Sequence, residues 1–273
     1  QGVTEFEEIE KLAKEKGWGK WGPFESKKMW ELAKFIFKNM NQSKIDEFLE
    51  LETVHLKPET VKAKNDIAPP FKNCRELLKR IDELPRGAEW SCDLLTVVGD
   101  VGDADGKKLV EVLELWRRNP EECVRELIGK TSIRNMGYAP QKVFLDKEGK
   151  EQRIDEMWTA NAWSDLQEQL PEGATVVPII LGSDKTQLSV FTGDKSSWPV
   201  YITIGNIPKA DRRCPSKRTQ TLLGYLPVTK LKIFSKKETR KFEIYRLFHR
   251  CMRIILGPLY SKGRQATEMV CAD

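Results

Sequence analysis

The run Thr175-Val-Val-Pro-Ile-Ile-Leu181, closed by Gly182, Ser183 and Asp184, constrains the fold more than any other segment. A short continuous apolar run bounded by turn residues reads as a strand buried on both faces, since neither side of it offers polar groups to water. Two more strands are predicted after it. Trp198–Ile204 alternates Val200, Ile202 and Ile204 with Tyr201 and Thr203, and Thr219–Val228 carries Leu222, Leu223 and Tyr225. A long helix is predicted over Glu238–Leu256, where Phe242, Tyr245, Leu247, Phe248 and Met252 stand among basic residues. Ala266–Ala272 then reads as a short apolar strand ahead of Asp273.

The residues upstream follow a helical period. Glu5–Lys16 predicts a charged helix, broken by the glycines and proline of 17–23. Ser26 is placed to cap a helix over 27–39, with Met29, Ala33, Ile36 and Met40 on one face. Ser43-x-x-Asp46 resembles a capping box opening a second helix, Pro58–Pro70 reads as a linker, and Arg75–Leu84 as a further helix. Trp90–Val98 has strand composition, and the Asp-Gly pair at 105–106 marks a turn. Helices are predicted over 107–118, over 121–129 behind Pro120, and over Trp158–Leu170. Trp158 and Trp163 are assigned to packing against the sheet, and His249 to packing on an aromatic helix face. The fold expected is α+β, in three parts: an N-terminal helical region over 1–90, a mixed connecting region over 91–172 and a sheet region over 173–273. In the last part the order of three antiparallel strands, a helix and a parallel strand matches the first part of a ribonuclease-H-like fold.

Composition excludes several classes. No apolar run approaches the roughly 20 residues of a membrane span. Glu5, Glu7, Glu8 and Glu10 stand where a signal peptide would be basic and then apolar, so the chain reads as a segment with no targeting signal of its own. The six cysteines are far apart, never Cys-x-x-Cys, and only His55 and His249 supply imidazoles, so thiolate or histidine zinc chemistry is not expected. Asp100, Asp103 and Asp105 mimic a calcium loop, but Lys107 falls where the frame needs a ligand.

The net charge of +5 hides an asymmetry: residues 209–264 hold 16 Lys or Arg against three acids, a local +13, while residues 1–208 carry −6. A segment of that density, with Arg212, Arg213, Lys217, Arg218, Lys236, Lys237, Arg240 and Lys241, can neutralise several phosphates at once, which makes nucleic acid the leading partner class. A solvated surface is the alternative.

In a ribonuclease-H-like fold, acids at the mouths of the first and fourth strands hold two divalent cations for phosphodiester chemistry. Asp184 follows the first predicted strand and Asp273 the fourth, and all-oxygen ligands of this kind suit magnesium, with manganese as substitute. A turn-forming aspartate is the plainer reading of Asp184.

Beyond these features, Val177–Leu188, Phe191–Ile207 and Leu222–Val228 resemble the core of Plavaka transposases, CACTA-like cut-and-paste elements of fungi. The resemblance extends to Trp21-Gly-Pro-Phe24, Leu94–Asp100, Glu114-Leu-Trp-Arg-Arg118, Arg125-Glu-Leu-Ile-Gly129, Tyr138-Ala-Pro140, Asp155-Glu-Met-Trp-Thr159 and Met269-Val-Cys-Ala-Asp273. It implies a DDE/D-type nuclease and strand transferase that acts on transposon ends in the nucleus, with Asp184 and Asp273 as catalytic metal ligands. A third acid is expected on a helix beyond Asp273, and Asp194 is the weaker substitute within the chain. The partners expected are transposon-end DNA and either a second copy of the chain or the C-terminal part of the fold. The alternative is a catalytically inactive or domesticated DNA-binding remnant.

Overall fold

A computed structural model describes residues 5–51, 71–84, 87–188, 196–263 and 265–271. The chain divides into two compact units, residues 3–86 and 87–273.

The first unit holds α1 (Glu5–Glu15), α2 (Lys27–Asn39), α3 (Gln42–Glu50) and α4 (Cys74–Asp82). Ser26 caps α2 as its sequence predicts, its hydroxyl accepting the Met29 N–H. The capping box at 43–46 does not form. Asn41 caps α3 instead, accepting the Lys44 N–H at 3.0 Å, and the Asp46 carboxylate reaches across to accept the Cys74 N–H at the start of α4 at 2.7 Å. Asp46 thereby satisfies an orphan donor of another helix rather than one of its own. Phe24, Ala33, Ile36, Leu49, Phe71 and Leu77 make the core of this unit. The predicted linker at 58–70 lies outside the described residues.

The second unit is organised by a five-stranded sheet in the order Trp90–Gly102, Lys108–Arg118, Thr221–Tyr225, Pro199–Ile204, Ile179–Ser183. β1 (Trp90–Gly102) and β2 (Lys108–Arg118) form a long hairpin, turned at Asp103–Gly106, where the Asp103 carboxylate accepts the N–H groups of Asp105 and Lys107. The expected helix over 107–118 is therefore a strand. Leu113 and Leu115 are buried while Val112, Glu114 and Trp116 are exposed, a period of two, and Val110 and Val112 are β-branched residues that favour a pleated surface. α5 (Pro120–Ile128) follows with Pro120 in its first turn and the Asn119 side chain accepting the Glu121 N–H.

Residues 130–178 hold a two-stranded ribbon, β3 (Val143–Phe144) with β4 (Gln152–Arg153), and the short helix α6 (Asn161–Gln167). Only one 3₁₀ turn, Met157–Thr159, precedes α6, so the expected helix over 158–170 is broken at Ala160, whose backbone is extended. Trp158 and Trp163 are both buried.

The three strands read from the second half of the sequence are present and antiparallel: β5 (Ile179–Ser183), β8 (Pro199–Ile204) and β9 (Thr221–Tyr225), with the small ribbon β6 (Thr186–Gln187) and β7 (Ser196–Ser197) between the first two. Val200, Ile202, Ile204 and Leu223 are fully buried, each worth roughly 1.5–3 kcal/mol by leaving water. α7 (Lys209–Arg212) lies in the β8–β9 connection, and α8 (Lys237–Lys262) crosses back, burying Leu247, Cys251 and Ile255. Asn206 clamps the end of β8: its side-chain amide donates to the Gly137 and Val176 carbonyls at 2.8 and 3.0 Å, and its backbone carbonyl accepts the Gly137 N–H.

The expected parallel strand at 266–272 is not formed among the described residues. Residues 265–271 run along α5, where the Arg125 guanidinium donates to the Glu268 carbonyl at 2.9 Å and Met269 and Cys271 pack on the core. The sheet is antiparallel throughout, so the second unit is a mixed helix-and-sheet fold whose parallel ribonuclease-H-like pairing is absent from these residues.

Among the described residues, the hairpin pairs with the three-stranded part where β2 meets β9, through Trp116–Tyr225 and Arg117–Gly224. A Cβ on Gly224 would lie 2.7 Å from the Trp116 carbonyl oxygen, so the join requires glycine there. Gly224→Ala is expected to lower the unfolding free energy of the second unit by about 1–3 kcal/mol in urea titrations followed by tryptophan fluorescence. Gly182→Ala, in open space on β5, should stay within about 0.5 kcal/mol. Equal effects of the two substitutions would contradict this account of the join.

Candidate nucleic-acid interface

Register decides where the residues singled out in the sequence stand. β5 pairs with β8 so that Ser183 faces Val200 and Ile179 faces Ile204. Asp184 therefore leaves β5 beside the start of β8, whereas the basic connection to β9 leaves from the end of β8. At about 3.3 Å per residue these two ends of β5 are roughly 13 Å apart. The basic loop is thus at the end of the strand opposite the acid.

In that loop the cations have different employments. Arg212 donates to the carbonyls of Gly205 and Ile207, at 3.2 and 2.8 Å, and so closes the turn after β8. Lys217 pairs with the largely buried carboxylate of Asp211. Arg218 adopts a left-handed backbone at φ 49°, and its carbonyl accepts the Lys130 ammonium at 2.6 Å. The side chains of Arg213 and Arg218 are exposed. The Lys209 N–H and ammonium are tied to Glu156 and to the Asp155 carbonyl, which docks the loop on the turn at 155–159.

The other four predicted cations open α8. Ser235, the residue before the cap, is held by Asp100 at the far end of β1 through its N–H at 2.7 Å and its hydroxyl at 3.2 Å. Arg240 folds back to donate to the Phe234 and Ser235 carbonyls, which fixes the entry of the helix. Lys236, Lys237 and Lys241 are exposed. Cations at a helix N-terminus oppose the helix dipole, and only Glu238 offsets them in the first turn. The cost is a few tenths of a kcal/mol per charge, and it leaves a positive end that attracts anions.

Asp184 is exposed, and its neighbour Lys185 lines a crevice of about 50 Å³ with Trp198, Pro227, Ile244 and Phe248. Trp198 and Phe248 stack there with ring centroids 5.6 Å apart. Ile244 and Phe248 belong to α8, so α8 rather than the β8–β9 loop lies beside the residue that follows Asp184. The two basic groups do not form one patch: one stands at the end of β8, the other at the start of α8.

The Asp184 carboxylate offers the hard oxygen donors that magnesium or manganese takes. Asp273 and Asp194 lie outside the described residues. Among those described, no group of three or more His, Cys, Asp or Glu is gathered to hold a metal ion, so they do not complete such a site by themselves. Nor, among them, is any helix long and apolar enough to cross a membrane.

Against this geometry, the sequence model of the Plavaka transposase family matches residues 71–273. The chain belongs to the Plavaka transposase family. The match takes in the whole five-stranded sheet, α5 and α8, and both basic groups. No curated protein and no solved structure matches the chain.

His249 is exposed and stands edge-on to Phe248 with centroids 5.4 Å apart, on the aromatic helix face expected for it. Sequence reading missed one feature of this Plavaka chain. Cys214, within the basic loop, has its Sγ 3.1 Å from the Ser216 hydroxyl, and that hydrogen bond, with the nearby N–H groups and the Lys217 charge, holds its thiol below the ordinary cysteine value. Burial pushes Cys123 up to about 12 and Cys251 up to about 11. Because the thiolate is the reactive form, Cys214 is expected to be alkylated by iodoacetamide several-fold ahead of the other two near neutral pH, and Ser216→Ala to slow it. Peptide mass spectrometry that found Cys123 or Cys251 labelled first in the folded protein would contradict this packing.

Proposed function

We propose that this chain carries the DNA-handling part of a transposase, which cleaves and joins phosphodiesters at transposon ends in the nucleus. The observation that carries the reading is the family match over 71–273. The exposed lysines at the start of α8 agree with it, because a row of cations that opposes its own helix dipole is relieved by an anion such as a phosphate.

Each group has a distinct part in this reading. Lys236, Lys237 and Lys241 hold the DNA backbone electrostatically, and Arg213 and Arg218 contact phosphates from the β8–β9 loop. Arg212 and Arg240, tied to carbonyls, keep those two segments in shape. Asp184 presents one carboxylate at the end of an edge strand, open to the phosphodiester being cut, with Asp273 as its partner acid. Magnesium or manganese, when bound, supplies the Lewis acidity that phosphodiester cleavage needs.

Loss of Lys236, Lys237 and Lys241 together to alanine should flatten the plot of log affinity against log salt for duplex DNA, by about 0.9 for each phosphate contact removed. Arg212→Ala should instead lower stability with a smaller change in that slope. A triple variant that binds with the wild-type salt slope would remove α8 from the interface. For the chemistry, Asp184→Asn is expected to abolish magnesium-dependent cleavage of transposon-end DNA while duplex affinity is kept. Wild-type protein that binds such DNA but never cuts it would assign the chain to the class of inactive DNA-binding remnants.

A further inference from the structure

Between β1 and α8 runs a groove of about 870 Å³ that the reading above does not use. Its β1 side is Thr96, Val97 and Val98; its α8 side includes Phe242, Tyr245, Arg246, Arg250 and Arg253. These α8 residues recur at three- and four-residue spacing, so they share one face of the helix. The rings of Phe242 and Tyr245 are 63% and 58% exposed, one turn apart. Arg246 stands 5.9 Å from the centre of the Phe242 ring and pairs with Glu243, the one acid in the groove. Arg250 reaches the free edge of the sheet, donating to the Thr96 carbonyl at 3.3 Å, and so ties the two walls together.

The chemistry of this groove differs from that of the lysine row at the start of α8. Phosphates alone would be met by lysines. Two open aromatic faces beside three arginines suit a ligand that brings flat rings and negative charge together. Paired bases already stack on one another and hide their faces, whereas unpaired bases can lie on aromatic rings while arginines follow the backbone. The apolar surface of Val98 extends the same floor.

We propose that the β1–α8 groove binds single-stranded DNA, with unpaired bases stacked on Phe242 and Tyr245 and the backbone held by Arg246, Arg250 and Arg253. The proposal rests on the reading of the chain as a DNA-handling protein and goes beyond it, because it separates a single-strand site from the duplex contacts.

The test is fluorescence anisotropy of the full chain with a labelled oligothymidylate of about 12 nucleotides and, in parallel, a duplex of the same length. Phe242→Ala with Tyr245→Ala should weaken the single strand by about tenfold or more and leave duplex affinity within about twofold. Phe242→Trp, which keeps a stacking face, should retain single-strand binding. Because both rings are exposed, the thermal midpoint of the double variant should match wild type. Single-strand affinity unchanged in the double variant, or equal loss on both DNA forms, would overturn the proposal. A wild-type chain that binds duplex but no single strand would also overturn it and leave the DNA reading standing; one that binds neither would remove the DNA reading itself.

Discussion

The second unit depends on the pairing of β2 with β9. That join consists of two residue pairs, and Gly224 is the residue that permits it, since any side chain there would strike the Trp116 carbonyl. Without it the two-stranded β1–β2 hairpin would stand apart from the β5–β8–β9 strands, and a lone hairpin is marginal in water. With it, one continuous inner face is available, on which α5 packs against β8 and β9 and α8 against β2. Leu113 and Leu115 from the hairpin enter the same core as Val200, Ile202 and Leu223 from the other strands. The position of α8, and with it the groove and the lysine row, follows from this shared face.

Charge has a structural and a functional share in this unit, and hydrogen bonding separates them. Arg212 and Arg240 are engaged by backbone carbonyls within their own loops, which would otherwise leave acceptors unpaired beside the core. Lys217 neutralises Asp211. Lys236, Lys237 and Lys241, by contrast, are exposed at the positive end of a long helix. A count of cations along the chain treats all of these alike. Only their partners show which are available to a phosphate.

Much of the architecture was legible in the residues. A continuous apolar run located β5, although β5 is a partly exposed edge strand rather than one buried on both faces; alternation located β8, Ser26 and Pro120 marked two helix starts, and the charge of 209–264 pointed to nucleic acid. The errors share a cause. In 107–118 the apolar residues satisfy both a helical and an alternating period, and only pairing with β1 selects the strand. Ser43 and Asp46 had the spacing of a capping box, yet Asp46 found a donor on α4 that lies 28 residues away. Residues 266–272 had strand composition, but Arg125 and the core beside α5 hold the described part of them off the sheet.

The sequence by itself determined the family, the mixed helix-and-sheet class, the antiparallel order of β5, β8 and β9, and the concentration of basic residues around them. These are encoded in short-range patterns of polarity and in motifs that do not depend on distant contacts. The tertiary structure alone decided that Asp184 stands at the opposite end of β5 from the basic loop, that α8 packs beside the residue following it, and that β1 and α8 enclose an aromatic and arginine-lined groove. Strand register and helix docking are set by contacts between residues far apart in the chain, and a pattern read along the chain does not contain them.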